Sequence, residues 1–143
     1  MNKQQVLFLC TGNSARSQMA EALLRKHADR QFDVFSAGIE PTIINPYTIK
    51  VLEEIGVDTS KQYAKPLSEY AGKKDFDYLI TVCGNAEERC PVFPGMGMRM
   101  HWPFEDPAEF RGSNQEITAK FREIRDQIER KICIWIKAFG STK

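Results

Sequence analysis

The chain has 143 residues, of which 42% are hydrophobic, and its 20 Lys and Arg side chains nearly balance 19 Asp and Glu side chains. This length predicts one domain, residues 1–143, with a sizeable core and no room for a second domain. A formal charge of +1 without long charged blocks argues against an extended nucleic-acid surface, so we expect no nucleic-acid partner.

The N-terminal residues are polar, and the apolar run after them is too short for a signal peptide or a membrane span. We therefore expect a soluble, cytoplasmic protein with no membrane association. As a separate expectation, we take it to be a monomer. Four cysteines, at positions 10, 83, 90 and 133, are spaced too widely for a Cys-x-x-Cys zinc pattern, so we expect no metal. A cytosolic chain would not keep them as structural disulfides, which favours catalysis or redox use for at least some of them.

Hydrophobic periodicity predicts strands that alternate with helices along the chain. In order, the predicted elements are a strand at 5–9, a helix at 17–28, a strand at 33–36, a helix capped at 45–46 and ended by Gly56, strands at 77–82 and 98–102, and a long helix after a capping box at 113–116. This order predicts a single-domain, doubly wound α/β fold, with a four-stranded parallel sheet and helices on both faces. Ligands bind beyond the carboxyl ends of such strands, where Cys10 and Cys83 both fall.

The segment between the first strand and the first helix, residues 10–17, reads Cys-Thr-Gly-Asn-Ser-Ala-Arg-Ser. We call this segment the anion loop. Unpaired N–H groups and the positive helix end should surround the Cys10 sulfur and favour its thiolate. Gly12 permits close approach of the backbone to an oxyanion, and Arg16 offers a planar fork to two of its oxygens. Ser17 could hydrogen-bond the sulfur. The residues predicted to cradle the oxyanion are Thr11, Gly12, Asn13, Ser14, Ala15 and Arg16.

With Ser36-Ala37-Gly38, Thr81-Val82-Cys83, Cys90-Pro91 and the segment 101–107, this loop resembles the low-molecular-weight protein tyrosine phosphatase superfamily, and within it the thioredoxin-coupled arsenate reductases, over essentially the whole chain. The resemblance implies that Cys10 attacks the oxyanion, Arg16 clamps it and Asp106 protonates the departing oxygen. Arsenate would enter as a phosphate mimic, with phosphate and sulfate as competitors. Taken alone, Asp106-Pro107 would be read as a turn, and Glu105 is the competing acid.

The resemblance also implies a relay of three thiols that reduces arsenate to arsenite. Cys83 attacks the sulfur of the Cys10–arsenic adduct, and Cys90 then attacks Cys83, leaving a Cys83–Cys90 disulfide for thioredoxin to reduce. Seven helical steps separate these two cysteines by roughly 10 Å, beyond the roughly 7 Å limit for a disulfide, so the segment must bend or unfold. No bound cofactor is expected, and a glutaredoxin-type reductant stays possible. Without the anion loop, Cys83 and Cys90 would be read as packing residues, the role that we expect for Cys133.

In some relatives, the resemblance implies, Asn13, Glu21, Ser36 and a carboxylate near position 65 surround a potassium ion beneath the loop. Position 65 is Lys here. We therefore hypothesise that the Lys65 ammonium replaces the cation by pairing with Glu21 and bracing Asn13, with no potassium requirement. The alternative is an ordinary solvated lysine.

Two other functions are compatible with the same residues. A phosphotyrosine phosphatase or phosphomonoesterase would use Cys10, Arg16 and Asp106 with water. The residues at 108–110 are Ala, Glu and Phe instead of the tyrosines typical of phosphotyrosine-specific relatives, which favours the reductase. A noncatalytic anion-binding or redox-sensing module is disfavoured by the intact nucleophile, arginine and acid.

Overall fold

A parallel four-stranded sheet with strand order β2-β1-β3-β4 forms the centre of the computed structural model, which describes residues 3–140. Its strands are β1 (Gln4–Cys10), β2 (Phe32–Gly38), β3 (Tyr78–Thr81) and β4 (Met98–His101). The helices are α1 (Arg16–Ala28), α2 (Pro46–Glu53), α3 (Gly84–Arg89) and α4 (Asn114–Gly140). The predicted α/β class and parallel four-stranded sheet are confirmed.

The central strand β1 explains why the sheet is parallel and buried. Val6, Leu7, Phe8 and Leu9 are completely inaccessible to solvent, and β1 pairs with β2 on one side and β3 on the other. A continuous apolar run of this kind suits a strand that is covered on both faces. Cys10, the last residue of β1, is thereby placed at the carboxyl edge of the sheet.

The long helix α4 covers the sheet with the apolar stripe that its spacing predicts. Phe121, Ile124, Ile128 and Ile132 are fully buried. The helix begins with the expected capping box, because the backbone N–H groups at positions 113 and 116 donate to the side chains of residues 116 and 113 at 2.9 and 3.1 Å. This helix also packs extensively against α1.

The observed elements differ from the predicted ones in a few places. Helix α3 was not predicted as an element, since its sequence Gly-Asn-Ala-Glu-Glu-Arg buries only Ala86 and carries no apolar periodicity. Single 3-10 turns at Leu67–Glu69 and Pro107–Glu109 were also missed. None of the helices within residues 3–140 has the length and apolar character needed to cross a membrane.

Candidate active site

A cavity of about 670 Å³ opens at the carboxyl ends of β1 and β3. It brings together four of the predicted catalytic residues, Cys10, Arg16, Cys83 and Asp106. Its wall also contains Thr11, Gly12, Ser14, Ala15, Thr42, Gly84, Asn85, Ala108 and Glu109. Ser17, Asn13 and Cys90 lie outside this wall, so any part that they play in the site must act through neighbouring atoms or through a rearrangement.

The loop between β1 and α1 turns its carbonyl groups away from the cavity. The carbonyl oxygens of residues 10, 11 and 12 accept hydrogen bonds from the backbone N–H groups of Ile39, Glu40 and Thr42 at 3.1, 2.8 and 3.0 Å. The Ser14 carbonyl accepts from the Asn45 N–H at 3.0 Å. No peptide bond is cis, and a trans peptide directs the next N–H opposite to its carbonyl. The loop N–H groups therefore face the cavity, as oxyanion binding requires.

Two backbone positions allow this loop to lie so close to β2. A Cβ atom on Gly38 would lie 2.7 Å from the Thr11 carbonyl oxygen and 2.9 Å from the Asn13 nitrogen. Asn13 itself has a φ of 51°, in the left-handed region that Asn tolerates better than most residues. The sheet and the anion loop are thus in backbone contact at this point.

Buried hydrogen bonds hold the Cys10 sulfur in a defined polar environment. The sulfur lies 2.9 Å from the Ser17 hydroxyl oxygen, which accepts a hydrogen bond from the Asn13 amide at 2.7 Å. Because that amide supplies the proton of the second contact, the Ser17 hydroxyl proton is available for the sulfur. Ser17 is fully buried, so solvent does not compete for this proton.

Lys65 is 4% exposed and lies beneath the anion loop. Its ammonium donates to the Ser36 hydroxyl at 3.2 Å and lies 3.6 Å from a carboxylate oxygen of Glu21. The Ser36 hydroxyl in turn donates to Glu21 in a short hydrogen bond. Burial lowers the pKa of Lys65, and the attraction of Glu21 opposes that effect. The alternative of a solvated lysine is wrong.

Asn13 is braced by the backbone at position 65 and not by the ammonium group. Its side-chain oxygen accepts from the Lys65 backbone N–H at 3.0 Å and from the Gln18 amide at 3.0 Å, while its own amide donates to Ser17 and Ser36. All the hydrogen-bonding capacity of this side chain is used within the protein. The hypothesis that the ammonium itself braces Asn13 is therefore replaced by a main-chain contact.

Arg16 and Asp106 form an ion pair in the wall of the cavity. The Arg16 guanidinium donates to the Phe104 carbonyl oxygen at 2.9 Å and lies 3.5 Å from a carboxylate oxygen of Asp106. The competing acid, Glu105, is instead paired with Lys120 at 2.8 Å on the surface. Of the two carboxyl groups, only that of Asp106 lines the cavity within the described part of the chain.

Cys83 is oriented from two sides. As the residue that caps α3, its sulfur accepts a hydrogen bond from the Ala86 N–H at 3.4 Å. The Thr11 hydroxyl oxygen lies 3.3 Å from the same sulfur and accepts from the Asn85 amide at 2.9 Å. With that amide as donor, the Thr11 hydroxyl proton is available for Cys83. These contacts fix the position of the Cys83 sulfur in the cavity wall.

Cys90 lies at the far end of α3 and is buried. Burial raises the pKa of its thiol, and the positive charge of Arg99 partly offsets that increase. Since α3 separates Cys83 from Cys90 by seven helical steps, of about 1.5 Å each, the two sulfurs cannot bond while the helix is intact. All four cysteines are free thiols, and Cys133 is half-buried on α4.

Several contributors to this site were missed by sequence reasoning. The segment 39–45, which orients the loop carbonyls, has no motif of its own. The Gln18 side-chain amide donates to the Asn13 backbone carbonyl, to the Asn13 side-chain oxygen and to the Tyr63 carbonyl. Its place on α1, where it is fully buried, was the only signal of this bracing role. No group of three or more His, Cys, Asp or Glu side chains able to hold a metal occurs within residues 3–140.

Comparison with known proteins gives the family of this chain. Residues 5–143 match the model of the low molecular weight phosphotyrosine protein phosphatase family. The chain belongs to this family. An arsenate reductase of Halalkalibacterium halodurans is 43% identical over 142 residues, which cover 99% of each chain. Relatives with that name thus span the full length of this family member.

Two solved structures extend the similarity to three dimensions. An arsenate reductase in the phosphate binding state superposes with a TM-score of 0.74 at 30% identity, covering 94% of this chain and 98% of that one. The thioredoxin-dependent arsenate reductase of Corynebacterium glutamicum gives a TM-score of 0.72 at 30% identity, covering 100% of this chain and 64% of that one. Both share the fold that positions the cavity.

Proposed function

We propose that this protein reduces arsenate to arsenite through the thiols of Cys10, Cys83 and Cys90 and that thioredoxin reduces the resulting disulfide. The observation that carries the proposal is the presence of two oriented thiols, Cys10 and Cys83, in the wall of one cavity beside Arg16. Hydrolysis of a phosphate ester needs only one of these thiols and water, whereas reduction of arsenate needs two electrons and therefore a thiol pair.

In the first step the Cys10 thiolate attacks arsenic, and a sulfur–arsenic bond replaces an arsenic–oxygen bond. The loop N–H groups and the Arg16 fork hold the remaining oxygens. Asp106, which is paired with Arg16 in the cavity wall, protonates the departing oxygen, which leaves as water. Ser17 supplies a hydrogen bond to the sulfur of the leaving or attacking Cys10.

In the second step the Cys83 thiolate attacks the Cys10 sulfur. A Cys10–Cys83 disulfide forms, the sulfur–arsenic bond breaks, and its electron pair stays on arsenic, which leaves as arsenite. The contacts with the Thr11 hydroxyl and the Ala86 N–H hold the Cys83 sulfur in place for this attack. Cys90 then attacks Cys83, which frees Cys10 and leaves a Cys83–Cys90 disulfide.

The final disulfide requires α3 to unwind, and this helix is well suited to do so. It has six residues, fewer than an isolated helix needs for stability, and it contributes only Ala86 to the core. The following segment contains Gly95 and Gly97, both in left-handed conformations, and Val92 is 89% exposed. Unwinding would expose the disulfide to an external dithiol such as thioredoxin, which the named relative from C. glutamicum uses.

The proposal extends to the setting of the reaction. Residues 1–143 would act as one domain, as a monomer in the cytoplasm, with no resident cofactor. Phosphate and sulfate would compete with arsenate for the same loop. Loop bracing by Asn13, Glu21, Ser36 and Lys65 would keep the cradle formed in the absence of a metal ion.

The deciding experiment is NADPH consumption on addition of arsenate to the protein with thioredoxin and thioredoxin reductase. We expect arsenate-dependent consumption in the wild type and in Cys133→Ser, and none in Cys90→Ser, whose single turnover draws its two electrons from Cys10 and Cys83. Mass spectrometry of Cys90→Ser should find a Cys10–Cys83 disulfide. If the wild type consumes no NADPH but hydrolyses an aryl phosphate through Cys10, the protein is a phosphatase, and Cys83 and Cys90 are not relay thiols.

A further inference from the structure

A polar cluster on β3 and β4 holds the helix that separates Cys83 from Cys90. Arg99 and His101 are two residues apart in β4, so their side chains lie on the same face of the sheet. Thr81 of β3 pairs in register with His101. Glu87 of α3 packs onto this face. The Thr81 hydroxyl donates to the Glu87 carboxylate at 3.1 Å and lies 2.8 Å from the His101 ring nitrogen Nδ1.

Arg99 makes the decisive contacts, because one guanidinium bonds both the side chain and the backbone of α3. Its Nε donates to the Glu87 carboxylate at 2.9 Å, and its Nη1 donates to the Cys90 carbonyl oxygen at 3.3 Å. Its Nη2 donates to the Glu87 carbonyl oxygen in a short hydrogen bond. Carbonyl groups in the last turn of a helix lack partners within the helix, and Arg99 satisfies two of them.

This arrangement differs from an ordinary surface ion pair. The Arg99 side chain is 26% exposed, and the pKa of Glu87 is lowered by Arg99 and Thr81 in spite of the opposing effect of burial. By contrast, the ion pair between Arg122 and Glu54 joins two side chains and no backbone group. Helix α3 has a second ion pair, between Arg89 and Glu40, which also joins two side chains. Among the described ion pairs of this helix, the one with Arg99 is therefore the one whose arginine also binds its backbone.

We propose that Arg99 is a positioning residue of the thiol relay, which holds α3 folded through Glu87 and the Cys90 carbonyl and so keeps Cys90 away from Cys83 until disulfide exchange. This inference rests on the proposed function. Formation of the Cys83–Cys90 disulfide must break the contacts of Arg99 with the last turn of α3. Arg99 accordingly stabilises the reduced protein relative to the oxidised one, and its contacts set the redox equilibrium of the pair.

The test measures that equilibrium directly, without arsenate. In a Cys10→Ser, Cys133→Ser background only Cys83 and Cys90 remain as thiols, and they are equilibrated at pH 7 with mixtures of reduced and oxidised glutathione. One oxidised glutathione takes two electrons and two protons from the pair, giving the protein disulfide and two reduced glutathione molecules. Thiol alkylation and mass spectrometry give the fraction oxidised at each ratio.

We expect Arg99→Met, which keeps an unbranched stem of similar length, to raise the equilibrium constant for disulfide formation roughly tenfold, as expected for the loss of hydrogen bonds to a charged group. Arg99→Lys retains the charge without the fork and should give a smaller rise. Arg122→Met, matched in its pairing with a carboxylate, should leave the constant unchanged.

The outcomes separate the two claims. A change of less than twofold in Arg99→Met and Arg99→Lys, or an equal change in Arg122→Met, would overturn the role of Arg99 while leaving the relay intact. If no Cys83–Cys90 disulfide forms in the background protein at any glutathione ratio, the relay itself is wrong. Circular dichroism on every variant verifies that the fold is retained, and Arg99→Lys serves as the test if Arg99→Met does not fold.

Discussion

The Nη2 atom of Arg16 lies 3.5 Å from a carboxylate oxygen of Asp106 in the wall of the cavity. The arginine that would bind the oxyanion is thus already paired with the carboxyl group proposed as the acid. An incoming anion competes with Asp106 for this guanidinium, so binding of the substrate and release of the carboxyl group are coupled. Asp106 is held in place by the Ala108 N–H, which donates to it at 3.0 Å.

Asp106→Asn should therefore separate binding from chemistry. The substitution removes a negative charge from the cavity, so the affinity for phosphate should rise about two- to tenfold, in keeping with a partly exposed ion pair. Arsenate-dependent turnover should fall by about 10²- to 10⁴-fold, because the proton donor is lost. Calorimetry with phosphate and the thioredoxin-coupled assay measure the two effects. Glu105→Gln is the control, because the Glu105 carboxyl group pairs with Lys120, and it should change neither the affinity nor the turnover. An equal loss of turnover in Glu105→Gln would show that Asp106 is not the acid.

Gly38→Ala should disrupt the anion loop. The new Cβ would lie 2.7 to 3.0 Å from three backbone atoms of residues 11 to 13, which cannot move without displacing the cradle. We expect a loss of about 1–3 kcal/mol in the free energy of unfolding and at least a tenfold loss of phosphate affinity. Gly84→Ala also changes a residue in the cavity wall, but its Cβ meets nothing within 4 Å. Denaturant unfolding and phosphate titration of both variants test this, and retained affinity in Gly38→Ala would contradict it.

Lys65→Met should destabilise the protein through Glu21. The carboxylate keeps its ion pair with Arg25 at 2.8 Å but loses its buried ammonium partner. We expect a loss of about 1–3 kcal/mol in the free energy of unfolding. The wild type should unfold at the same temperature in potassium and sodium chloride of equal ionic strength. A clear increase in thermal stability specific to potassium would show that the ammonium does not replace a cation. Lys120→Met removes an ammonium group whose carboxylate partners lie on the surface, and it should lower the free energy of unfolding by less than Lys65→Met does.

Cys90 should make the stability of the reduced protein depend on alkaline pH. Its pKa is raised above the ordinary value of 9.0 by burial, so above about pH 9 the folded protein retains a proton that the unfolded chain has lost. The contribution of Cys90 is therefore constant at lower pH and declines as the pH rises above 9, by at most about 1.4 kcal/mol per pH unit. Comparing the free energies of unfolding of the wild type and Cys90→Ser between pH 7 and pH 10.5 isolates this group. The free energy of unfolding of the wild type minus that of Cys90→Ser should fall above pH 9. A value that instead rises with pH would contradict the assignment.

Much of the fold was predictable because it depends on local patterns. The continuous apolar run of β1 and the apolar residues of α4 at spacings of three and four can be read from the sequence, and both are buried. Asn45 caps α2 as expected, because its side chain accepts a hydrogen bond from the Tyr47 N–H. Helix α3 could not be predicted in the same way, since one buried alanine gives no periodicity. What holds it is Arg99, which is nine residues away from Cys90 along the chain and reaches the helix only after β4 pairs with β3.

In the candidate site too, the parts that depend on a contiguous motif were predictable, and the parts that depend on backbone contacts between distant segments were not. Cys10, Arg16 and the intervening loop form a contiguous motif, and the carboxyl ends of parallel strands place Cys83 beside them. The inward direction of the loop N–H groups depends instead on backbone donors such as Ile39 and Thr42, whose side chains carry no information about that role. The substitution of Lys at position 65 suggested a pairing with Glu21, but the main-chain bond to Asn13 depends on backbone placement that no residue type encodes.

The shortest α-helix within residues 3–140, α3, also bears on how many reaction cycles the protein can withstand. Because α3 buries a single alanine, it can open and close without exposing the apolar interior beneath β1 and α4. Each cycle of the proposed relay would then disturb only a short peripheral stretch of chain, and the remainder would stay protected from aggregation and degradation. A protein that changes shape at every turnover can in this way survive many turnovers.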